Sequence, residues 1–234
     1  MTLKVMTYNI CSCHNLNHEY DPGGTIAFIK GEAPDILGVN EVDYMNERGF
    51  FTDMPKIMAE KLDYPYYFFG KTINYRGGEY GNCLFSKHPI VDTKNIKIPE
   101  TGGCEDRAVI KAVINIADKP AAVMVSHYGL SEAERVNAAA LTAEQVKKAM
   151  DLKYPVIFMG DLNCPPNAEE LRSLYGLLND TAERSSDRLL SFPSDDPKEK
   201  IDYIFVSSEF KTENVYLRRT QASDHLPYTV ILSY

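Results

Sequence analysis

The sequence predicts an α/β protein with mixed sheets. Three observations carry this. Strand-like apolar runs alternate with helix-like segments over much of the chain. Between residues 66 and 116 several β-like runs follow one another directly, which purely parallel winding does not allow. One long segment, residues 131–150, carries both a helix start signal and an apolar stripe.

The elements follow in order. Residues 3–10 read as a strand, with Leu3, Val5 and Tyr8 among Thr and Met. Residues 25–30 read as a short helix closed by Gly31 and Pro34. Residues 35–42 (DILGVNEV) read as a buried strand that ends in Glu41, and residues 52–62 as a second helix. Residues 66–69, 82–86 and 107–116 are rich in Val, Ile, Tyr and Phe and read as strands, as do residues 121–126, which end at His127. In the helix over 131–150, Ser131 and Glu134 form a capping box, and Val136, Ala140, Ala143, Val146 and Met150 form its stripe. Residues 155–160 are a strand. Residues 167–175 are a short helix capped by Asn167. The polar stretch 183–200 reads as a loop, and residues 201–207 and 227–232 as the last strands. No repeat or linker divides the chain, so residues 1–234 read as one domain.

Composition narrows the function. The chain has 234 residues, enough for a substantial core, with 44% hydrophobic and 25% charged residues. Its 33 acidic against 25 basic residues give a net charge of −8. That disfavours tight, sequence-blind binding to a phosphate backbone, without excluding an enzyme that acts on nucleic acid. Cys11, Cys13, Cys83, Cys104 and Cys164 are odd in number and contain no C-x-x-C pair, which points to reduced thiols and away from a zinc site. No apolar run is long enough to span a membrane, and the chain opens on a strand-like segment with no signal-like apolar run. The expectation is a cytoplasmic monomer.

Polar residues cluster where apolar runs end: Asn9, Glu41, His127, Asp161 with Asn163, Asp202, and Asp224 with His225. Strand ends deliver such groups to the rim of a sheet. Together they describe a site rich in carboxylate and imidazole that suits a hard divalent cation with oxygen ligands.

These segments, with their order and spacing, resemble the endonuclease/exonuclease/phosphatase superfamily. That group includes deoxyribonuclease-I-like nucleases, abasic-site endonucleases, neutral sphingomyelinases and inositol-phosphate 5-phosphatases. Thr7-Tyr8-Asn9-Ile10 resembles its opening strand, and the segment from Pro34 to Val42 its strand ending in a metal-binding Glu. Asn40 stands where the family usually has Gln. Tyr80-Gly81-Asn82 with Leu84-Phe85-Ser86, Asp106-Arg107-Ala108, Ser126-His127, and Gly129-Leu130-Ser131 with Glu134-Arg135 match further segments, the last as in many bacterial members. Gly160-Asp161-Leu162-Asn163, Phe192-Pro193 with Ile201-Asp202-Tyr203-Ile204, and Ser223-Asp224-His225-Leu226-Pro227 complete the set.

The resemblance implies a four-layer α/β sandwich, two mixed β-sheets packed face to face and flanked by helices. It implies hydrolysis of a phosphodiester or phosphomonoester by an activated water. Asn9, Glu41 and Asp224 would hold Mg²⁺, with Mn²⁺ as substitute. Asp161 would orient or deprotonate the water, and Asn163 and His127 would donate to phosphate oxygens. His225, oriented by Asp202, would act as acid/base or bind phosphate. Tyr80, Asn82 and Arg107 would contact substrate. Two alternatives stay open: a DNA-processing endo- or exonuclease, and an inactive binding module on the same scaffold.

Overall fold

The computed structural model describes residues 1–99, 103–166, 168–185 and 188–234. In chain order the strands are β1 (Thr2–Asn9), β2 (Ile36–Tyr44), β3 (Tyr66–Tyr75), β4 (Gly78–Ser86), β5 (Ile90–Lys97), β6 (Ala108–Ile116), β7 (Lys119–His127), β8 (Val156–Asp161), β9 (Asn179–Asp180), β10 (Asp202–Val206), β11 (Lys211–Leu217) and β12 (Tyr228–Ser233). The helices are α1 (Pro22–Glu32), α2 (Met54–Lys61), α3 (Glu132–Asp151) and the single turn α4 (Arg172–Tyr175).

Two six-stranded sheets result, ordered β11-β12-β1-β2-β4-β3 and β5-β6-β7-β8-β10-β9. Each holds one parallel pair, β1 with β2 and β7 with β8, and is otherwise antiparallel. The parallel pairs need crossovers, and α1 and α3 supply them. The apolar residues sort into the three interfaces of a four-layer sandwich. Leu3, Val5, Ile36, Ile110, Val123 and Ile157 pack between the sheets. Ile29 of α1 and Met58 of α2 cover Met6, Leu37 and Phe85 on the first sheet. Ala139, Ala143 and Val146 of α3 cover Met124 and Phe158 on the second.

Several elements differ from the sequence reading. Helix α1 starts earlier than residue 25, because Asp21 caps it by accepting from Gly24 N and Pro22 sits in its first turn. Gly31 lies inside it, and Ala33 ends it in a left-handed conformation. The capping box of α3 is present, but its buried face is only partly the expected stripe: Ala143, Val146 and Met150 pack inward. Val136 and Ala140 are exposed, and Ala138, Ala139, Thr142, Ala143, Val146 and Ala149 face the sheet. Alanines let the helix lie close, and their weak hydrophobicity hid the face from a periodicity reading. Strands β5 and β11 are absent from the sequence reading. Both are edge strands with exposed polar residues and lack the apolar enrichment that marks a strand. The stretch 183–200 is not wholly irregular, since a 3₁₀ turn spans Thr181–Arg184 and Phe192 bridges Glu199. The expected cap Asn167 lies outside the described residues. Among the described residues no helix is long and apolar enough to cross a membrane, and all five cysteines are free thiols.

Candidate active site

Sheet register alone brings much of the site together. His127 at the end of β7 pairs with Asp161 at the end of β8, and Asp161 pairs with Asp202 at the start of β10. Neighbouring strands lie about 4.8 Å apart, so three polar side chains stand in a row on one rim. Gly160 makes this approach possible. Its φ is +148°, and a Cβ there would lie 1.8 Å from the Ser126 carbonyl oxygen on β7.

The first sheet faces that row with Asn9, at the end of β1, and its register partner Asn40, midway along β2. Asn9 Nδ2 donates to Asp161 Oδ2 at 3.1 Å and to Glu41 Oε1 at 3.0 Å. Asn40 ties the sheets together: its Oδ1 accepts from Asp161 N at 2.9 Å, while its Nδ2 donates to the Ser126 carbonyl at 3.1 Å and to Asn82 Oδ1 at 2.8 Å. Glu41 is aimed by an irregularity. The register against β4 shifts between Val39 and Val42, and Glu41 has φ +60°. A bulge of this kind turns a side chain out of the regular alternation.

The segment before β12 closes the site. Ser223 Oγ donates to the Asn9 carbonyl at 2.7 Å and accepts from His225 N at 3.2 Å. This fixes Asp224 and His225 against β1. His225 Nδ1 lies 2.8 Å from Asp202 Oδ2, and its Nε2 lies 3.6 Å from Asp161 Oδ2. The Phe192 ring covers it at 4.8 Å between centroids.

Two imidazoles therefore approach one carboxylate oxygen, since His127 Nε2 is 3.4 Å from Asp161 Oδ2. Their surroundings push them opposite ways. Burial opposes the His225 cation, but Asp202 and Asp161 outweigh it and raise its pKa to about 10. Burial lowers the His127 pKa well below its ordinary value, and the charges of Arg107 and His225 lower it further. Arg107 Nη1 lies 3.0 Å from His127 Nδ1. A guanidinium only donates, so Nδ1 accepts there, while Nε2 faces both the Asn163 amide nitrogen at 3.1 Å and Asp161 Oδ2 at 3.4 Å. Burial, then Asp202, raises the Asp161 carboxyl above the usual range.

Two groups are candidates to hold a cation. Asp161, Asp202 and His225 bring ligating atoms within 4.8 Å of one another. There the protonated imidazole already balances the carboxylates. Glu41 is different: burial raises its pKa and the neighbouring Asp224 adds to the rise, against the opposing Asn9 hydrogen bond and the charges of His225 and Arg107, so a buried carboxylate keeps a second carboxylate as neighbour. An all-oxygen donor pair of that kind fits Mg²⁺ or Mn²⁺. Asn9 differs from Glu41 and Asp224 in orientation, because its Oδ1 accepts from Cys11 N at 3.0 Å and its amide nitrogen donates to Glu41 and Asp161.

The remaining expected residues lie around this centre. Asn163 Nδ2 donates to the Tyr128 carbonyl at 3.0 Å and lies 3.1 Å from His127 Nε2. Arg107 also pairs with Glu105 at 3.0 Å. Tyr80 is buried with Glu41 nearby, which raises its phenol pKa beyond the effect of burial. Asn82 Nδ2 and Arg107 Nε are buried donors with no hydrogen-bond partner. Sequence reasoning missed Asn40 as the tie between sheets and Ser223 as the anchor of the last loop. A polar residue inside the apolar run DILGVNEV was the available signal for the first.

Over residues 6–225 the chain matches the model of the Endonuclease/Exonuclease/phosphatase family. The chain belongs to that family. It is 28% identical over 203 residues to the uncharacterized protein YbhP of Escherichia coli, a match that covers 82% of this chain and 78% of YbhP. Among solved structures, a family protein from Bacteroides thetaiotaomicron superposes with a TM-score of 0.80 at 19% identity, covering 99% of this chain and 98% of its own. The mannosyl-6-phosphatase of the same organism gives 0.77 at 20% identity, covering 99% and 100%. The human Nocturnin catalytic domain gives 0.79 at 19% identity, covering 99% and 94%. At these identities the structural matches speak for the shared sandwich.

Proposed function

We propose that this chain is a divalent-metal-dependent phosphoesterase that hydrolyses a phosphodiester or phosphomonoester by in-line attack of water. The observation that carries the reading is the single Asp161 oxygen approached by two imidazoles held in opposite protonation states. Asp161, with its raised carboxyl, orients the water and takes its proton. His127 presents Nε2–H to a non-bridging phosphoryl oxygen, with Asn163 beside it. His225, held by Asp202, stands as a cation against the phosphoryl group and as a proton source. The unpartnered Asn82 Nδ2 and Arg107 Nε supply further donors, with Tyr80 lining the same side. Glu41, braced by Asn9, and Asp224 would hold Mg²⁺ or Mn²⁺. When bound, that cation would neutralise charge on the phosphoryl and leaving oxygens.

The net charge of −8 favours small or lipid-like esters over long duplex DNA. The test is a panel of nucleic acid, sphingomyelin-like diesters, sugar phosphates and p-nitrophenyl esters, assayed with Mg²⁺, Mn²⁺ and EDTA. Metal-dependent turnover of a small ester that EDTA abolishes is the expected result. Faster cleavage of duplex DNA would replace it with the nuclease reading. Turnover of nothing in the panel would leave a binding module.

A further inference from the structure

A second charged feature lies away from this site, on the outer face of the second sheet where α3 crosses it. Lys94 on β5 and Lys111 on β6 are register partners, directly opposite in an antiparallel ladder. Like charges in that position destabilise a sheet. Lys148 of α3 adds a third cation to the same groove, which has a volume of about 450 Å³. Lys148 is paired with Glu144 on its own helix. Among the described residues neither Lys94 nor Lys111 forms an ion pair. Burial lowers the Lys111 pKa, Lys148 and Lys94 lower it further, and Asp92 opposes them more weakly.

The groove has an apolar side, formed with Val113, and a polar side that holds the lysines, Asp92 and Gln145. Val91 and Leu152, 55% and 62% exposed, and Tyr154 complete the apolar side. A lysine on an edge strand is a common guard against edge-to-edge pairing, and Lys94 fits that role. Lys111 does not, because it sits one strand inward and its ammonium reaches toward the Gln145 carbonyl under α3, at 3.5 Å. The Gln145 carbonyl and Asp92 offset the repulsion between the lysines only in part, and among the described residues neither lysine gains an ion pair. In an acidic protein, three cations over an apolar wall suit a ligand with an anionic head and an apolar body.

We infer that the groove between Lys94, Lys111 and Lys148 is a binding site for a small amphiphilic oxyanion, separate from the phosphoesterase centre. Its separation follows from topology. Tyr154 leads into the start of β8, and the candidate active site lies at the other end of that strand, at Asp161. The groove also opens on the helix side of the sheet, whereas the active site lies between the sheets.

Phenylphosphonate is a suitable probe, since its carbon–phosphorus bond is not an ester and it carries both an oxyanion and an apolar ring. Calorimetric titration at low salt without added metal measures affinity, and amide shifts in ¹H–¹⁵N spectra locate binding. Shifts should centre on residues 91–94, 111–113 and 148–154. Lys111→Met should weaken binding at least tenfold, about 1.4 kcal/mol, and the shifts at residues 91–94, 111–113 and 148–154 should persist in Asp161→Asn. Methylphosphonate, which lacks the ring, should bind more weakly. Removing the like-charge pair should leave the melting temperature of Lys111→Met equal or higher, and Lys94→Gln serves as a second variant should Met at 111 disturb packing. Equal affinity in parent and both lysine variants would overturn the inference, as would shifts confined to residues around His127, Asp161 and His225. Equal affinity for the two phosphonates would remove the apolar half of the assignment. None of these results depends on whether the chain turns over a phosphoester.

Discussion

His225 and His127 approach the same Asp161 oxygen from opposite walls, at 3.6 and 3.4 Å, and are held in opposite states. His225 sits among carboxylates on the last loop and keeps its proton. His127 sits beside Arg107 at the end of β7 and stays neutral. The residue type is identical and both are buried. What differs is the sign of the partner that touches Nδ1: a carboxylate that accepts in one case, a guanidinium that donates in the other. A cation and a neutral donor can thus flank one phosphoryl group without either depending on bulk pH.

The largest effect should come from breaking the charged side. His225→Ala removes the cation, and Asp161→Asn keeps shape while removing the base. Each should lower turnover on the best ester of the panel by roughly 10²–10⁴-fold, the range for a positioned acid or base. Circular dichroism should show the fold unchanged. A variant that keeps more than half the parent rate would show that its residue does not have the assigned role.

Next comes the partner that sets the charge. Asp202→Asn should cost about 10²-fold, somewhat less than losing the imidazole itself. The sign of its pH effect is fixed. Asp202 is one of the groups that raise the His225 pKa, so its removal lets that pKa fall. The alkaline limb of the pH–rate profile should move to lower pH. An unmoved limb would mean that Asp202 only packs.

Arg107→Met tests the neutral side and should be milder, about tenfold, or about 1.4 kcal/mol. Arg107 is one of the charges that hold the His127 pKa down, so its removal raises that pKa. Protonation of His127 would then intrude at higher pH, and the acid limb should move up.

The sequence made much of the rim legible because strand ends are readable: the apolar runs that stop at His127 and Asp161 end there in the fold, whereas β2 runs on past Glu41 to Tyr44, contrary to the reading that ended it there. The family resemblance then joined Asp202 to His225, which no local pattern connects. The geometry between elements was not legible. The bulge that turns Glu41 with its φ of +60°, and the amide orientation of Asn9, both follow from long-range pairing. The same holds for Asn40, whose hydrogen bonds reach residues 42, 86 and 121 positions away. The edge strands β5 and β11 escaped detection for a related reason. They are strands because a neighbour pairs with them, not because their own residues are apolar.

The smallest predicted effect separates the histidines by stability rather than rate. His127 has a folded pKa well below its ordinary value. Between that pKa and about 6.5, the unfolded chain binds a proton at this residue that the folded chain does not. Folding is therefore opposed as pH falls below about 6.5, by up to about 1.4 kcal/mol for each pH unit. His127→Ala loses packing and hydrogen bonds at every pH but escapes this penalty. Its stability deficit relative to the parent, from urea denaturation, should be largest near pH 7 and should shrink toward pH 5. For His225 the folded pKa is raised, so its contribution is fully present below about 6.5 and is lost as pH rises toward about 10. The deficit of His225→Ala should accordingly shrink in the alkaline direction. Two deficits that both shrink toward low pH, or both toward high pH, would mean that the histidines are not held in opposite states.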